Sequence, residues 1–187
     1  MIRSFLEWLG NTPWSIALVE SYYMWPWVES THVLSLALFV GTAIMMDLRL
    51  VGLAFQGVPA SSFIDRLLPW TRIGFVIMVV TGLFLFYSSP LRYYHNLFFR
   101  IKCMMLMIAG LNIWLFHSRI LTSIDTWDDA GTPPRAARIA GIVSIVMWTG
   151  VVFSGRLIAY NWFDCDIQPQ PTWVNSMAQC PVDEVAP

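Results

Sequence analysis

Long apolar stretches decide what this chain can fold into. Residues 33–46 contain no charged side chain, and they belong to the first of four apolar stretches, at about 28–54, 67–88, 97–116 and 137–160. Each stretch is close to the roughly 20 apolar residues that a helix needs to cross the hydrocarbon core of a bilayer. Lipid offers no partner to backbone N–H and C=O groups, so a spanning segment satisfies them within a helix. We therefore predict an all-α fold, a four-helix transmembrane bundle.

The composition indicates that lipid is the solvent for much of the chain. Hydrophobic residues make up 57% of the 187 residues and charged residues only 12%, whereas an ordinary soluble domain has about 25% charged residues. A soluble protein of this size has no core large enough to bury so much apolar surface. The net charge of −1 argues against a nucleic-acid partner.

The two ends of the chain differ from the spans. Residues 1–24 hold two short amphipathic pieces rich in Trp and Tyr, and we expect a helical segment that lies in the membrane interface. Thr12 is predicted to cap the second piece, with Pro13 at its first helical position. Residues 25–162 form the transmembrane domain, and residues 163–187 form a polar, Pro-rich tail that faces the outer side.

The sidedness of the chain rests on cysteines and basic residues. Cys165 and Cys180 both lie in the tail, which indicates a disulfide and an oxidising compartment; the alternative is two free thiols in a cytosolic tail. Three arginines lie in or at the edges of the loop after span one (Arg49, Arg66 and Arg72), three lie in or at the edges of the loop after span three (Arg119, Arg135 and Arg138), and the tail carries no basic residue. Because basic residues favour cytoplasmic loops, both termini are predicted to face outward. Arg92, Arg100 and Lys102, between spans two and three, depart from this rule.

Ionisable side chains within spans indicate functional sites by default, because lipid makes them costly. His32 lies near the outer end of span one, and Glu29 precedes it on the same helix face. One interpretation is a Glu–His pair that anchors the bundle. The other is a haem or metal ligand, since imidazole in a dry bundle is the usual axial ligand of b-type haem. Lys102 and Arg156, at the same depth, would bind the haem propionates; alternatively, both reach out to headgroups.

The second axial ligand would be His95, just before span three, or Met105 within that span. His117 cannot share an iron with His95, because the 22 residues between them span about 33 Å of helix. A second haem, on the inner side, would need His117 together with a methionine such as Met46. The three histidines of the chain therefore allow at most one bis-histidine haem.

Ten methionines, including the pairs Met45-Met46 and Met104-Met105, raise copper as an alternative cofactor, because thioether sulfur selects Cu(I). Methionine that fills gaps in the core is the plainer explanation. No Gly-rich phosphate loop, HExxH motif or Ser-nucleophile elbow is present in the sequence. Hydrolase and kinase functions have no support, and we expect a non-catalytic or electron-transfer subunit rather than an enzyme.

Several motifs carry a resemblance to a known group: FLEWLGNTP, VESTHVLSLALFVGT, MDLRLVGLAF, LLPWTRIGF, TGLFLF, FRIKCMMLMIAGLNIWLFH and GRLIAY, spread over about residues 4–160. On these motifs the chain resembles an uncharacterised family of bacterial inner-membrane proteins, themselves similar to the four-helix proteins around cytochrome b561 and the copper-resistance protein CopD. The four histidines of cytochrome b561 are absent, and the resemblance does not extend to His95. It points to Glu29, His32, Asp47, Arg49, Lys102, Asn112, His117 and Arg156.

The leading hypothesis is a membrane-embedded electron-transfer subunit that binds b-type haem near the outer face of a bacterial inner membrane. His32 would ligate the iron, both termini would lie in the periplasm, and an outer-facing redox protein would exchange electrons with the haem. One alternative is a cofactor-free accessory or scaffold subunit of a larger membrane complex. The other is copper passage of the CopD kind.

Overall fold

The computed structural model describes residues 1–128, 133–160 and 162–180, without the side chains of residues 123, 125 and 126. Every regular element in this part of the chain is helical, which confirms the all-α fold. Helix α6 continues into a π-helical turn, Phe116–Ile120, and a 3₁₀ helix, Leu121–Thr126. The α-helices are, in chain order, α1 (Ile2–Gly10), α2 (Pro13–Glu20), α3 (Met24–Val51), α4 (Ala60–Ser88), α5 (Pro90–His95), α6 (Leu97–Leu115), α7 (Arg135–Ile158) and α8 (Thr172–Ala178).

Four helices are long and apolar enough to cross a membrane. They are α3, α4, α6 with its π-helical turn, and α7, whose most apolar windows have mean hydropathies of 1.5 to 1.8. The predicted multi-pass membrane protein with four spans is thus confirmed.

Helix α4 begins earlier than its apolar pattern predicted, at Ala60 rather than at about residue 67. Its first turns are polar, and a carboxylate from a distant part of the chain caps them: the N–H and the hydroxyl of Ser61 both donate hydrogen bonds to Asp128. Desolvation opposes the ionisation of Asp128, but these hydrogen bonds outweigh it and lower the pKa of the carboxyl. Hydropathy carries no signal of such a cap, so the start of the helix was misplaced.

The chain divides into two compact units. The terminal unit comprises Met1–His32, Val79–Met104 and the chain from Val151 onward, and the central unit comprises Val33–Met78 and Met105–Gly150. Each spanning helix contributes residues to both units.

In the terminal unit, α1 packs on α5 and α2 is fastened to the end of α4. Ser15 of α2 is fully buried, and its hydroxyl donates a hydrogen bond of 2.8 Å to the carbonyl of Tyr87. As predicted, Thr12 occupies the N-cap position of α2 and Pro13 its first position, but the Thr12 side chain makes no capping hydrogen bond. The Thr12 hydroxyl donates instead to the carbonyl of Leu9, 2.8 Å away, and shares a hydrogen bond with the Tyr87 hydroxyl. The Thr12 hydroxyl is thus hydrogen-bonded to oxygens of α1 and α4 and not to the backbone N–H groups of α2.

The tail of the terminal unit folds into a cap, residues 162–180. A disulfide joins Cys165 to Cys180, the pair that the sequence indicated. Asn96 donates a hydrogen bond of 3.2 Å to the buried carboxylate of Asp164, whose pKa is raised by burial. Arg100 donates hydrogen bonds to the carbonyls of residues 177 and 178, at the C-terminal end of α8, where a cation is favoured. One basic residue that departs from the charge rule therefore holds the cap.

In the central unit, Arg49 binds the loop that follows α3. Its side chain is only 2% exposed, and Nε donates a hydrogen bond of 2.8 Å to the carbonyl of Val58. Helix α3 ends at Val51, and the next residue, Gly52, has a φ of 84°, which suits glycine just after a helix C-terminus. The core behind this loop consists of Leu50, Ala60, Ile64, Trp127 and Ala137.

Two glycines of the central unit let neighbouring helices approach α3 closely. A Cβ atom on Gly74 of α4 would lie 2.9 Å from the backbone N of Phe39, and one on Gly141 of α7 would lie 3.0 Å from the carbonyl O of Asp47. Any larger residue would push these helices apart, because the obstructing atoms belong to the backbone. Phe39 and Asp47 are therefore held at helix–helix contacts.

Candidate functional site

His32, the predicted haem or metal ligand, packs against α4 in the terminal unit. Its Nδ1 lies 3.0 Å from the hydroxyl oxygen of Thr81, and its Cε1 lies 3.2 Å from the place where a Cβ on Gly82 would stand. Gly82 thus provides the space for the ring, and Thr81 fixes the orientation of the ring.

The two predicted propionate ligands have different neighbours. The Nζ of Lys102 lies 3.4 Å from the Cβ position of Gly155 on α7. Arg156 is exposed and turned along its own helix, where its Nη2 donates a hydrogen bond of 3.2 Å to the hydroxyl of Tyr160. Lys102 therefore packs against α7, the helix to which Arg156 belongs, whereas the contacts of His32 described above are with α4.

The remaining predicted residues are distributed over both units. His95 ends α5 in the terminal unit, where its ring centre lies 5.5 Å from that of Tyr94. Met105 belongs to the central unit, and its Sδ lies 2.7 Å from the Cβ position of Gly150, in the space that the glycine leaves open. His117 also belongs to the central unit. In the described ranges, no group of three or more His, Cys, Asp or Glu residues could hold a metal ion.

The methionines of the copper alternative lie in unlike surroundings. Met45 and Met104 are exposed, at 37% and 54%. Met105 packs at Gly150, and Met46 lines a cavity. Such a spread is typical of methionines that fill local gaps or face lipid.

His117 lines a cavity of about 340 Å³ within the central unit, between residues of α3, α4, α6 and α7. Its walls are mostly apolar, and Phe39, Phe75 and Trp148 form an aromatic side. The ring centre of Phe39 lies 5.3 Å from that of Phe75 and 4.6 Å from that of Trp148. Arg72 and His117 are exposed lining residues, so the cavity opens to the surface of the unit beside them. The volume falls in the range of about 300–1,000 Å³ that is usual for small-molecule sites.

Asp47 contributes a buried carboxyl to the wall of this cavity. It is 8% exposed, and its carboxylate accepts a hydrogen bond from the hydroxyl of Ser144 on α7. Its second oxygen, Oδ2, is buried and has no hydrogen-bond partner in the part of the chain that the structure describes. The described basic residues form no ion pair with it either. A buried acceptor without a donor is costly, so Oδ2 marks a place where a donor of a ligand would bind favourably.

Other polar groups of the cavity use their donors within the bundle. Asn112 Nδ2 donates a hydrogen bond of 3.0 Å to the carbonyl of Ala140, and the Thr71 hydroxyl bonds to the carbonyl of Leu67 at 2.9 Å. The cavity therefore offers a ligand chiefly one buried acceptor and two exposed donors: Asp47, Arg72 and His117.

Sequence reasoning identified parts of this cavity but did not assemble them. The resemblance pointed to Asp47, Asn112 and His117, which are polar residues in apolar spans and so carry a signal. The aromatic side was missed, because Phe39 and Phe75 stand among residues that are nearly all apolar. Only the packing of the helices shows which apolar side chains converge.

Residues 3–161 match the model of a family described as a family of unknown function, DUF6644. No curated protein and no solved structure matches the chain.

Proposed function

This chain belongs to the family of unknown function DUF6644, and we propose that it binds a lipophilic small molecule within the membrane, in the cavity of its central unit. The observation that supports the proposal is the combination found there: apolar and aromatic walls around Asp47 Oδ2, a buried acceptor without a hydrogen-bond partner among the described residues. Binding sites are usually apolar clefts with a few convergent polar groups that fix the orientation of the ligand. A ligand that dissolves in lipid reaches such a cavity directly from the bilayer.

A cavity-filling substitution tests this function. Ala43 lines the cavity and is 8% exposed, and Phe at this position would occupy the space of a ligand. In lipid nanodiscs, we expect Ala43→Phe to weaken binding of the apolar fluorescent dye 1-aminoanthracene by about tenfold or more, because the lost apolar contacts exceed the 1.4 kcal/mol that corresponds to tenfold. The measurement is a fluorescence titration, corrected for empty nanodiscs.

Ala37→Phe is the matched control, because Ala37 is an exposed residue of the same helix, and it should leave the dye affinity unchanged. Ala140→Phe fills the cavity from α7 and should repeat the effect of Ala43→Phe. Equal dye binding by the wild type and both filling variants, all folded by circular dichroism, would exclude the cavity as a binding site.

We propose electron transfer with b-type haem as a second candidate function. The supporting observation is the imidazole of His32, oriented by Thr81 and seated over Gly82; the likeness to cytochrome b561 and CopD adds an argument by analogy. A bound haem would supply one-electron chemistry, with His32 as an axial ligand and Lys102 near a propionate.

An absorption spectrum tests the haem proposal. Protein expressed with ample haem is expected to show a Soret band that His32→Ala abolishes. His117→Ala should retain the band, because His117 lies in the other unit. A wild-type preparation without the band, or an equal band in His32→Ala, would rule out His32 as the ligand.

We also propose that both termini face the oxidising side of a bacterial inner membrane. The disulfide of the cap and the absence of basic residues from the tail support this orientation. The cap would then be the surface that meets an outer-facing redox protein or a larger membrane complex. The accessibility of the disulfide to an impermeant reductant tests the orientation.

A further inference from the structure

The polar groups of the cavity restrict the charge of its ligand. Asp47 brings one carboxyl, and Arg72 brings one guanidinium. The remaining ionisable residue of the lining, His117, brings no negative charge. A lipophilic ammonium ion would meet the carboxyl but also the guanidinium, so a neutral ligand suits the cavity better.

The hydrogen-bonding pattern further restricts the ligand. Asp47 Oδ2 is a buried oxygen that has no hydrogen-bond donor among the described residues, so a donor on the ligand would satisfy it. Arg72 and His117, at the opening, have N–H groups to donate. A ligand that matches both has a hydroxyl to donate at the buried end and an oxygen that accepts elsewhere. Saturated hydrocarbon chains have neither group.

The aromatic side of the cavity favours a flat ring. The ring of Phe39 contacts those of Phe75 and Trp148. Its centre lies 5.3 Å from the ring centre of Phe75 and 4.6 Å from that of Trp148. Aromatic rings attract one another in offset or edge-to-face arrangements, beyond the gain from burial alone. A planar ligand ring therefore gains contacts here that a flexible chain would not.

We infer that the ligand is a lipid-soluble hydroquinone: an aromatic ring with two hydroxyl groups and an apolar tail. One hydroxyl donates to Asp47 Oδ2, the other oxygen accepts from Arg72 or His117, and the tail leaves through the opening into lipid. The inference rests on the proposed binding function and adds the chemical class of the ligand. Asp47 is the residue that distinguishes the hydroquinone from its oxidised quinone, which has no hydroxyl to donate.

Competition against the bound dye tests this inference. The competitors are a decyl-substituted benzohydroquinone, its quinone and its dimethyl ether, which has the same shape without a donor. The wild type is expected to bind the hydroquinone about tenfold or more tightly than the ether or the quinone, as the cost of leaving a buried acceptor without a donor implies. Asp47→Asn should reduce that preference to about threefold or less, because the amide can donate to the quinone as well as accept.

Each outcome has a defined meaning. Equal affinities of the wild type for the hydroquinone and its ether would overturn the inference, and this comparison needs no variant to fold. Stronger displacement by decylamine would overturn it in favour of a lipophilic cation. An unchanged hydroquinone preference in a folded Asp47→Asn variant that still binds the dye would also overturn it. Absence of cavity-dependent dye binding would instead show that the proposed function itself has failed.

Discussion

Replacing Cys165 and Cys180 together by serine is expected to accelerate amide hydrogen exchange in the cap, at residues 163–178, by about 100-fold or more. The disulfide closes a segment of 15 residues, and a cross-link over such a loop stabilises by about 3 kcal/mol. Because 1.4 kcal/mol corresponds to a factor of ten, opening of the cap should become at least about a hundred times more frequent. Hydrogen exchange followed by mass spectrometry of peptides from the cap measures this.

The control is Cys103→Ser, which removes the free cysteine of α6 and leaves the disulfide intact. It should not change the exchange rates of the cap. Peptides from α3 in the central unit should also be unaffected by loss of the disulfide. Unchanged protection of the cap after the double replacement would mean that contacts such as those of Arg100 and Asn96 hold it alone.

In intact cells, an impermeant reductant should open the disulfide only if the cap faces outward.

Truncation of Arg49 to alanine is expected to lower the free energy of unfolding by about 2–4 kcal/mol. The change removes the hydrogen bond from Nε to the Val58 carbonyl, empties a nearly fully buried volume and takes a positive charge away from the neighbourhood of Asp128. Loss of a buried hydrogen bond and creation of a cavity each cost in this range. Unfolding by sodium dodecyl sulfate in mixed micelles measures the difference.

Arg66→Ala provides the comparison for Arg49, since Arg66 is an exposed arginine in the first turns of α4. Its effect should stay within about 0.5 kcal/mol, as for surface substitutions generally. The Nη1 atom of Arg49 is buried without a hydrogen-bond partner among the described residues, which is a cost in the native state. If Arg49→Ala proved as stable as Arg66→Ala, the cost of burying Nη1 without a partner would cancel the stabilisation from the hydrogen bond to the Val58 carbonyl. Arg49 would then not organise the loop.

The fold followed from the sequence because lipid imposes a simple rule: a spanning segment is apolar, helical and about 20 residues long. Three of the four spanning helices accordingly begin within a few residues of the predicted positions. The disulfide joins the two cysteines that the sequence indicated. The start of α4 was not, because it depends on Asp128, which lies far along the chain. The predicted capping hydrogen bond of Thr12 failed for the same reason: its hydroxyl bonds to Tyr87, which no local pattern reveals.

The polar residues within and beside the spans were harder to interpret than the spans. Each was costly enough to suggest function, yet their roles differ in the structure. Arg49 and Arg100 hold a loop and the cap, whereas Asp47 and His117 line a cavity. The sequence alone does not distinguish the two roles. The arginines bind backbone carbonyls, and Asp47 and His117 face a space between helices, and neither kind of neighbour leaves a pattern in the sequence.

Photoaffinity labelling is the most direct test of the central claim, that the cavity of the central unit binds a lipid-soluble ligand. A decyl-substituted hydroquinone with a diazirine on the first carbons of its tail would be activated in nanodiscs and its attachment sites mapped by peptide mass spectrometry. We expect labels on cavity residues such as Ile113 and Phe116, their loss in Ala43→Phe and their retention in Ala37→Phe. Labels spread evenly over lipid-facing residues such as Val76 and Leu111, and equal in both variants, would contradict the claim.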